Sequence, residues 1–222
     1  YDVHAVTDHA AGPGIFGNTG LDETEIAEQA EAVSAAVDAV EGAVAVADGA
    51  GAESDADIAV LHGIEANIDA EGAITTDDAT LAELDVVVAS PHSALGQDPG
   101  AATERLVRAV EHPHVDILGH PTGRIINSRP GVSPDVEAVV EAAASAGTAI
   151  EVNANPARLD ADGDFVRAAI EADATIAVNT DAHAPRELDN ARYGVHTARR
   201  GWAEAADVLN AWSVDELRAF LE

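Results

Sequence analysis

Short apolar runs of strand length alternate with amphipathic helical stretches along almost the whole of this sequence. That alternation limits the fold more than any other feature. The runs Val3–Thr7, Ile58–Ile64, Asp85–Ala89, Val115–Leu118, Thr148–Val152 and Thr175–Val178 are rich in Val and Ile. Between them, Glu23–Val40, Ala101–Glu111, Pro134–Ala146 and Gly163–Ala172 carry apolar residues at three- and four-residue spacing, with Asp22 and Ser133 placed to cap two of these helices. Strand–helix alternation without hairpin signals predicts an α/β fold with a parallel sheet, either a barrel or a doubly wound sheet. Ala43–Asp57, acidic and rich in Ala and Gly, reads as a solvated connection. The chain reads as one domain, 1–222, without internal repeats.

Composition narrows the chemistry. With no Cys, the chain has no thiol nucleophile, disulfide or Cys-ligated zinc site. No apolar run is long enough for a membrane span and the N-terminus lacks a signal peptide's pattern, so a soluble, cytoplasmic protein is expected. The net charge is -30, with 41 acidic residues against 11 basic ones, all of them Arg. Such a surface repels phosphates at low ionic strength and stays soluble when salt shortens the Debye length to about 3 Å. With so few aromatic residues and so much Ala, the pattern is that of a halophilic protein, and it describes the habitat more than the partner.

Gly12–Gly17 matches the GxGxxG pattern after a strand. More loop follows before any helix, so the glycines lack the helix N-terminus that takes a pyrophosphate, and a glycine loop is expected. The positions of ligand-type residues carry more. Strand one ends in Thr7-Asp8-His9, strand two in Gly63-Ile64-Glu65, strand three in Ser90-Pro91-His92 and strand four in Gly119-His120-Pro121. Strand five ends in Glu151 and Asn153, and strand six in Asp181-Ala182-His183. In a parallel β/α barrel all these ends open on one face, so residues far apart in sequence converge. Imidazoles mixed with carboxylates suit zinc, manganese or iron better than magnesium or calcium. His4, His62, His112, His114 and His196 do not share the position and read as structural or exposed.

Thr7-Asp8-His9, Gly63–Glu65, His92, Gly119-His120-Pro121 and Asp181-Ala182-His183 resemble the ordered motifs of the PHP (polymerase and histidinol phosphatase) superfamily. Longer stretches, His120-Pro121-Thr122-Gly123-Arg124, Glu151 to Pro156, Asn179 to His183 and Arg192 to Trp202, are similar to the C-terminal PHP domain of bacterial and archaeal family X DNA polymerases. The resemblance implies a distorted seven-stranded β/α barrel, which this sequence would enter at the second strand, without the family's opening His-x-His. It implies metal ligands at His9, Glu65, His92, His120, Asp181 and His183, with Glu65, His92, His120 and Asp181 in the catalytic role and Asp8 supporting them. It further implies zinc or manganese, two or three ions in the complete domain, and phosphoester hydrolysis by water activated at the metals.

The activity expected from the resemblance is a 3′–5′ exonuclease or 3′-end processing module. Nucleic-acid 3′ ends would be its partner, and a covalently linked polymerase domain would lie elsewhere in the full-length protein. The alternatives are a small-molecule phosphatase of the histidinol-phosphatase type and a catalytically impaired scaffold. Arg124 and Arg158 follow the fourth and fifth strands, and Arg grips phosphate bidentately, so both are candidates for substrate phosphate. Arg192, Arg199 and Arg200 are either phosphate-directed or paired with surface carboxylates.

Overall fold

The computed structural model describes residues 2–12, 20–47 and 58–222. Six parallel strands form one sheet in sequence order: β1 (Val3–His9), β2 (Ala59–Asn67), β3 (Val86–Ser90), β4 (Ile117–Leu118), β5 (Ala149–Asn153) and β6 (Ile176–Asn179). Connecting them are α1 (Glu23–Ala47), α2 (Asp78–Leu81), α3 (Pro99–Val110), α4 (Val136–Ala146) and α5 (Gly163–Glu171). After β6 come α6 (Ala191–Arg200) and α7 (Val214–Leu221). Every crossover returns the chain to the same end of the sheet, so all strand C-termini share one face. The sheet curls into a half-barrel: the ring of His9, at the end of β1, lies 6.0 Å from that of His183, beyond β6. Among the described residues no helix is long and apolar enough to cross a membrane.

The two faces of the sheet do different work because side chains alternate along a strand. The convex face sends Ile64, Val87, Leu118, Ile150 and Val152 into the main core, against Leu106, Val139, Val140, Phe165 and Val166 of the surrounding helices. The concave face is apolar only at its lower end. There Val86, Val88, Ile117, Ala149 and Ala177 pack with Leu209, Trp212, Leu217 and Phe220 of the C-terminal segment. The same face changes chemistry at its upper end, where Glu65, Asn67, Ser90, Glu151 and Asn153 follow along the same strands.

Much of the acidity starts helices. Asp98, Asp135 and Asp162 accept hydrogen bonds from the first free backbone N–H groups of α3, α4 and α5, a capping interaction worth about 1 kcal/mol each. Asp22 caps α1 as expected, with Glu25 reaching back to its N–H. Ser133 does not cap α4: the helix begins later, and Asp135 supplies the oxygen to Ala138 N at 3.3 Å. The connection expected at Ala43–Asp57 is helical as far as Ala47, where α1 ends. The remainder of that connection, and Pro13–Gly17 of the glycine pattern, lie outside the described residues. Strands one and two run past their apolar cores to His9 and Asn67, so His9 closes its strand as expected and Glu65 lies two residues inside its own.

Candidate metal centre

Register builds the centre. His9 is the cross-strand partner of Glu65, so both project from the concave face. His92 follows β3 by two residues, and His120 follows Gly119 at the end of β4. Gly119 is required there, because a Cβ would sit 2.8 Å from Val88 Cγ1 and closer still to Ser90 Oγ. His120 itself turns through a positive φ of 21°, which swings its ring back over β2. Glu65 becomes the hub: Oε2 lies 3.0 Å from His9 Nδ1, and Oε1 lies 3.2 Å from His92 Nε2 and 2.9 Å from His120 Nε2. The rings of His9 and His92, and of His92 and His120, meet edge to face at 5.1 Å.

The hydrogen-bond pattern tests whether this hub suits a cation. Asn67, fully buried, donates its amide to Ala10 O at 2.9 Å, which turns its carbonyl oxygen to His92 Nδ1 at 2.7 Å. That oxygen can only accept, so Nδ1 carries the ring proton and Nε2 presents a bare lone pair. This lone pair faces Glu65 Oε1, a second acceptor. Two acceptors 3.2 Å apart repel unless a cation lies between them. His9 Nδ1 and His92 Nε2 are both buried and have no aligned hydrogen bond among the described residues, despite their closeness to the carboxylate. Ligand atoms of His9, Glu65 and His92 all lie within 4.8 Å of one another. This mixed nitrogen and oxygen donor set fits a divalent transition ion.

The electrostatics agree with a charged hub. Burial drives the Glu65 carboxyl upward, but the contacts from His120 and His9 outweigh it and hold the group well below its usual range. His9 is raised, chiefly by its contact with Glu65 and against its burial. Burial lowers His92. It also opposes the net rise at His120, which comes from Glu65 and Glu151.

The other expected residues form a second group beside the first. Asp181 accepts from Asn153 Nδ2 at 3.0 Å and pairs with Arg158 Nε at 3.2 Å. His183 is exposed, its Nδ1 3.0 Å from the Asp181 carbonyl. Arg158 retains a buried Nη1 without a hydrogen-bond partner among the described residues. Arg124 is occupied otherwise: Nε donates to Arg158 O at 3.0 Å, Nη2 to Leu159 O, and Nη1 pairs with Asp162 at 3.2 Å. It staples the loop that presents Arg158. Asp8 points away from the hub, bonded to Gln29, which in turn meets His62. His112 pairs with Asp78 at 3.3 Å, remote from the cluster.

Two connecting residues take their role from the geometry: Asn67, which no ligand pattern marks, and Glu151, which the sequence places at the end of strand five without a role. Asn67 fixes His92. Glu151, buried at the end of β5, accepts from the His120 backbone N–H at 2.6 Å, from Asn179 at 2.9 Å and from Asn153 at 3.3 Å. Burial pushes its carboxyl up to about 7. Glu151 and Asn153 thereby join the Glu65 hub to Asp181.

A curled parallel β/α sheet with this order of imidazoles and carboxylates at its strand ends defines a domain of the PHP superfamily, and the chain belongs to it. No family model matches the chain. Among curated proteins, it is 44% identical over 163 residues to the DNA polymerase/3′–5′ exonuclease PolX of Bacillus subtilis, covering 73% of this chain and 29% of that protein. It is 39% identical over 100 residues to a probable phosphatase of Caldanaerobacter subterraneus, covering 43% of this chain and 37% of the relative. It is also 33% identical over 135 residues to a probable phosphatase of Shewanella sp. (strain ANA-3), covering 57% and 51%. The chain thus spans between under a third and about half the length of these relatives.

Proposed function

We propose that this chain is a metal-dependent phosphoesterase domain, acting as the 3′–5′ exonuclease or 3′-end processing module of a cytoplasmic family X DNA polymerase. In this reading residues 1–222 are one PHP domain, and the polymerase domain is covalently linked elsewhere in the full-length protein. The observation that carries the chemistry is the lone pair of His92 Nε2 facing the Glu65 carboxylate across 3.2 Å, an arrangement that calls for a cation. The 3′–5′ exonuclease in the name of the Bacillus subtilis relative supports the substrate class.

Glu65, His92, His120 and His9 would hold zinc or manganese, and Asp181 and His183 would complete a centre of two or three ions. When bound, such ions supply the Lewis acidity that brings water towards neutral pKa and stabilises the oxygens of a phosphoryl group in displacement. Ionised Glu65 gives the centre its negative ligand and spans the imidazoles. Asn67 and Glu151 fix His92 and His120, so little reorganisation is left for the reaction itself. Arg158, steered by Asp181 and stapled by Arg124, aims its free Nη1 at a non-bridging phosphate oxygen. No side chain is needed as a covalent nucleophile.

A small-molecule phosphatase is the second reading, favoured by relatives that carry that name. The test is degradation of a 5′-labelled oligonucleotide from its 3′ end, with added manganese, beside release of phosphate from p-nitrophenyl phosphate. Stepwise shortening that disappears in His92→Ala is expected. Phosphate release from the monoester with an intact oligonucleotide would overturn the nuclease reading in favour of the phosphatase.

A further inference from the structure

The arginines of α6 break the pattern of the molecule. Acidic residues number 41 in 222, yet the stretch 190–203 has none, and it holds Arg192, Arg199 and Arg200. All three are exposed. The ion pairs among the described residues engage Arg124, Arg158, Arg167 and Arg186, and none of these three. Arg192 makes only a local contact, with the hydroxyl and ring of its neighbour Tyr193. Arg105, Arg108 and Arg129 also lack a carboxylate partner but donate to backbone carbonyls, and Arg218 is a single exposed arginine on α7; α6 is the helix that gathers three exposed arginines without a carboxylate partner among the described residues.

Helical geometry aligns them. Arg192, Val195, His196 and Arg199 occupy one exposed stripe at three-, four- and seven-residue spacing, while Gly194, Thr197 and Ala198 face inward. The inward face is tight: a Cβ at Gly194 would lie 2.6 Å from Val178 Cγ1 and 2.8 Å from Ala154 Cβ, so the helix is seated in a fixed orientation. The helix starts beyond the Asp181–His183 segment and runs about 15 Å down the side of the sheet. Past its far end stands Trp202, 67% exposed in a chain with only 3% aromatic residues. Its backbone is held at φ 70°, and the Arg167 guanidinium lies 3.7 Å from its ring centroid.

Exposed arginines in a row, ending on an open indole, are the elements of a single-stranded nucleic-acid track: charge for the phosphates and a ring face for a base. We infer that the exposed face of α6, from Arg192 through Arg199 and Arg200 to Trp202, carries the single strand whose 3′ end enters the metal centre. This rests on the nuclease reading and deepens it. The track explains why positive charge is concentrated on the one helix that leads away from Asp181 and His183.

The experiment uses the full chain and a fluorescent oligothymidylate of about 12 nucleotides, within the site sizes usual for such surfaces. Binding is followed by anisotropy across a potassium chloride series. Replacing Arg192, Arg199 and Arg200 together by Ser should weaken binding at least tenfold. It should also reduce the slope of log Kd against log salt by about 2, at about 0.7 per lost phosphate contact. In a Trp212→Phe background the oligonucleotide should quench Trp202 fluorescence, and Trp202→Ala should weaken binding about tenfold.

Hydrolysis of bis(p-nitrophenyl) phosphate with manganese separates the two claims, because the α6 residues lie outside the chemistry. Unchanged hydrolysis with weakened, less salt-sensitive oligonucleotide binding supports the track. Unchanged hydrolysis with wild-type oligonucleotide binding and no quenching overturns it. Loss of strand binding in the variants of a protein that hydrolyses nothing would leave the track standing and remove the nuclease reading instead. Equal competition by a duplex of the same length would overturn the single-strand assignment.

Discussion

Replacing Asn67 by Ala removes two hydrogen bonds, to His92 Nδ1 at 2.7 Å and from its own amide to Ala10 O at 2.9 Å. Both Asn67 and Ala10 are buried, so the Ala10 carbonyl loses its side-chain donor without gaining water. Two bonds at about 1 kcal/mol each, with the cost of leaving buried groups under-satisfied, give about 3 kcal/mol. In a domain of this size that corresponds to a fall of about 6–12 °C in Tm. The second consequence is specific to the centre. Without an acceptor at Nδ1 the His92 ring is free to change tautomer and rotate, and loss of such an orienting partner typically costs about 10- to 100-fold in metal affinity. Zinc affinity by competition with a chromogenic chelator, and Tm by circular dichroism, read the two effects separately. Asn67→Asp is the control. It keeps an acceptor for Nδ1 but loses the donor to Ala10, so stability falls while zinc affinity stays near wild type. If Asn67→Ala lowers Tm but binds zinc within twofold of wild type, His92 is not held for a metal by Asn67 and the lone-pair argument fails.

Two further outcomes concern the whole domain. Burial raises the Asp116 carboxyl to about 6 from 3.8. The native state therefore holds this proton more tightly than the unfolded chain, and the stability tied to it is complete below pH 3.8 and lost as pH rises through 6. A shift of that size is at most about 3 kcal/mol, reduced by solvent at this partly open position to about 1 kcal/mol. Asp116→Asn retains an oxygen for the Val87 N–H, bonded at 2.7 Å in the wild type. It should match wild type near pH 4 and exceed it near pH 7 in thermal melts, and a difference independent of pH would refute the assignment. Tm should also climb with potassium chloride, because a net charge of -30 repels itself at low ionic strength; a Tm indifferent to salt would contradict the halophilic reading.

The sequence made the scaffold and the outline of the centre legible for different reasons. Large apolar residues at regular spacing mark α3, α4 and α5, and Val-rich runs mark the strands, because these patterns face a core on one side. Helix α6 escaped that reading because its buried face is Gly194, Thr197 and Ala198, small residues that leave no apolar stripe, while Val195 is exposed. Its inward face is shaped by a close approach to Val178 and Ala154 that only the fold creates. The C-terminal residues that fill the concave face were likewise illegible, since Leu209 and Trp212 sit in short 3-10 turns without periodicity.

At the centre, position after a strand is a sequence property, so His9, Glu65, His92 and His120 could be named together. Which of them is the hub is not. Glu65 meets three imidazoles because the curl of the sheet brings β1, β3 and β4 around β2, and the close approach at Gly119 and the turn at His120 place the third ring. Asn67 and Glu151 act through contacts with partners up to 57 and 31 residues away, so no local pattern shows what they do, although Glu151 stands out at its strand end. Arg124 and Arg158 looked equivalent in sequence. The fold gives Arg124 to the carbonyls of Arg158 and Leu159, and leaves Arg158 with a free nitrogen beside Asp181.

The most direct test of the centre is zinc K-edge X-ray absorption on the protein loaded with one equivalent of zinc. A chain with 41 acidic residues can collect cations on its surface, and such zinc would show a shell of oxygens alone. The hub of Glu65 with His9, His92 and His120 predicts a nitrogen-rich shell at about 2.0–2.1 Å with the outer scattering of two or three imidazoles, replaced in His92→Ala by a shell with one fewer. An oxygen-only shell, or one unchanged in His92→Ala, would contradict it.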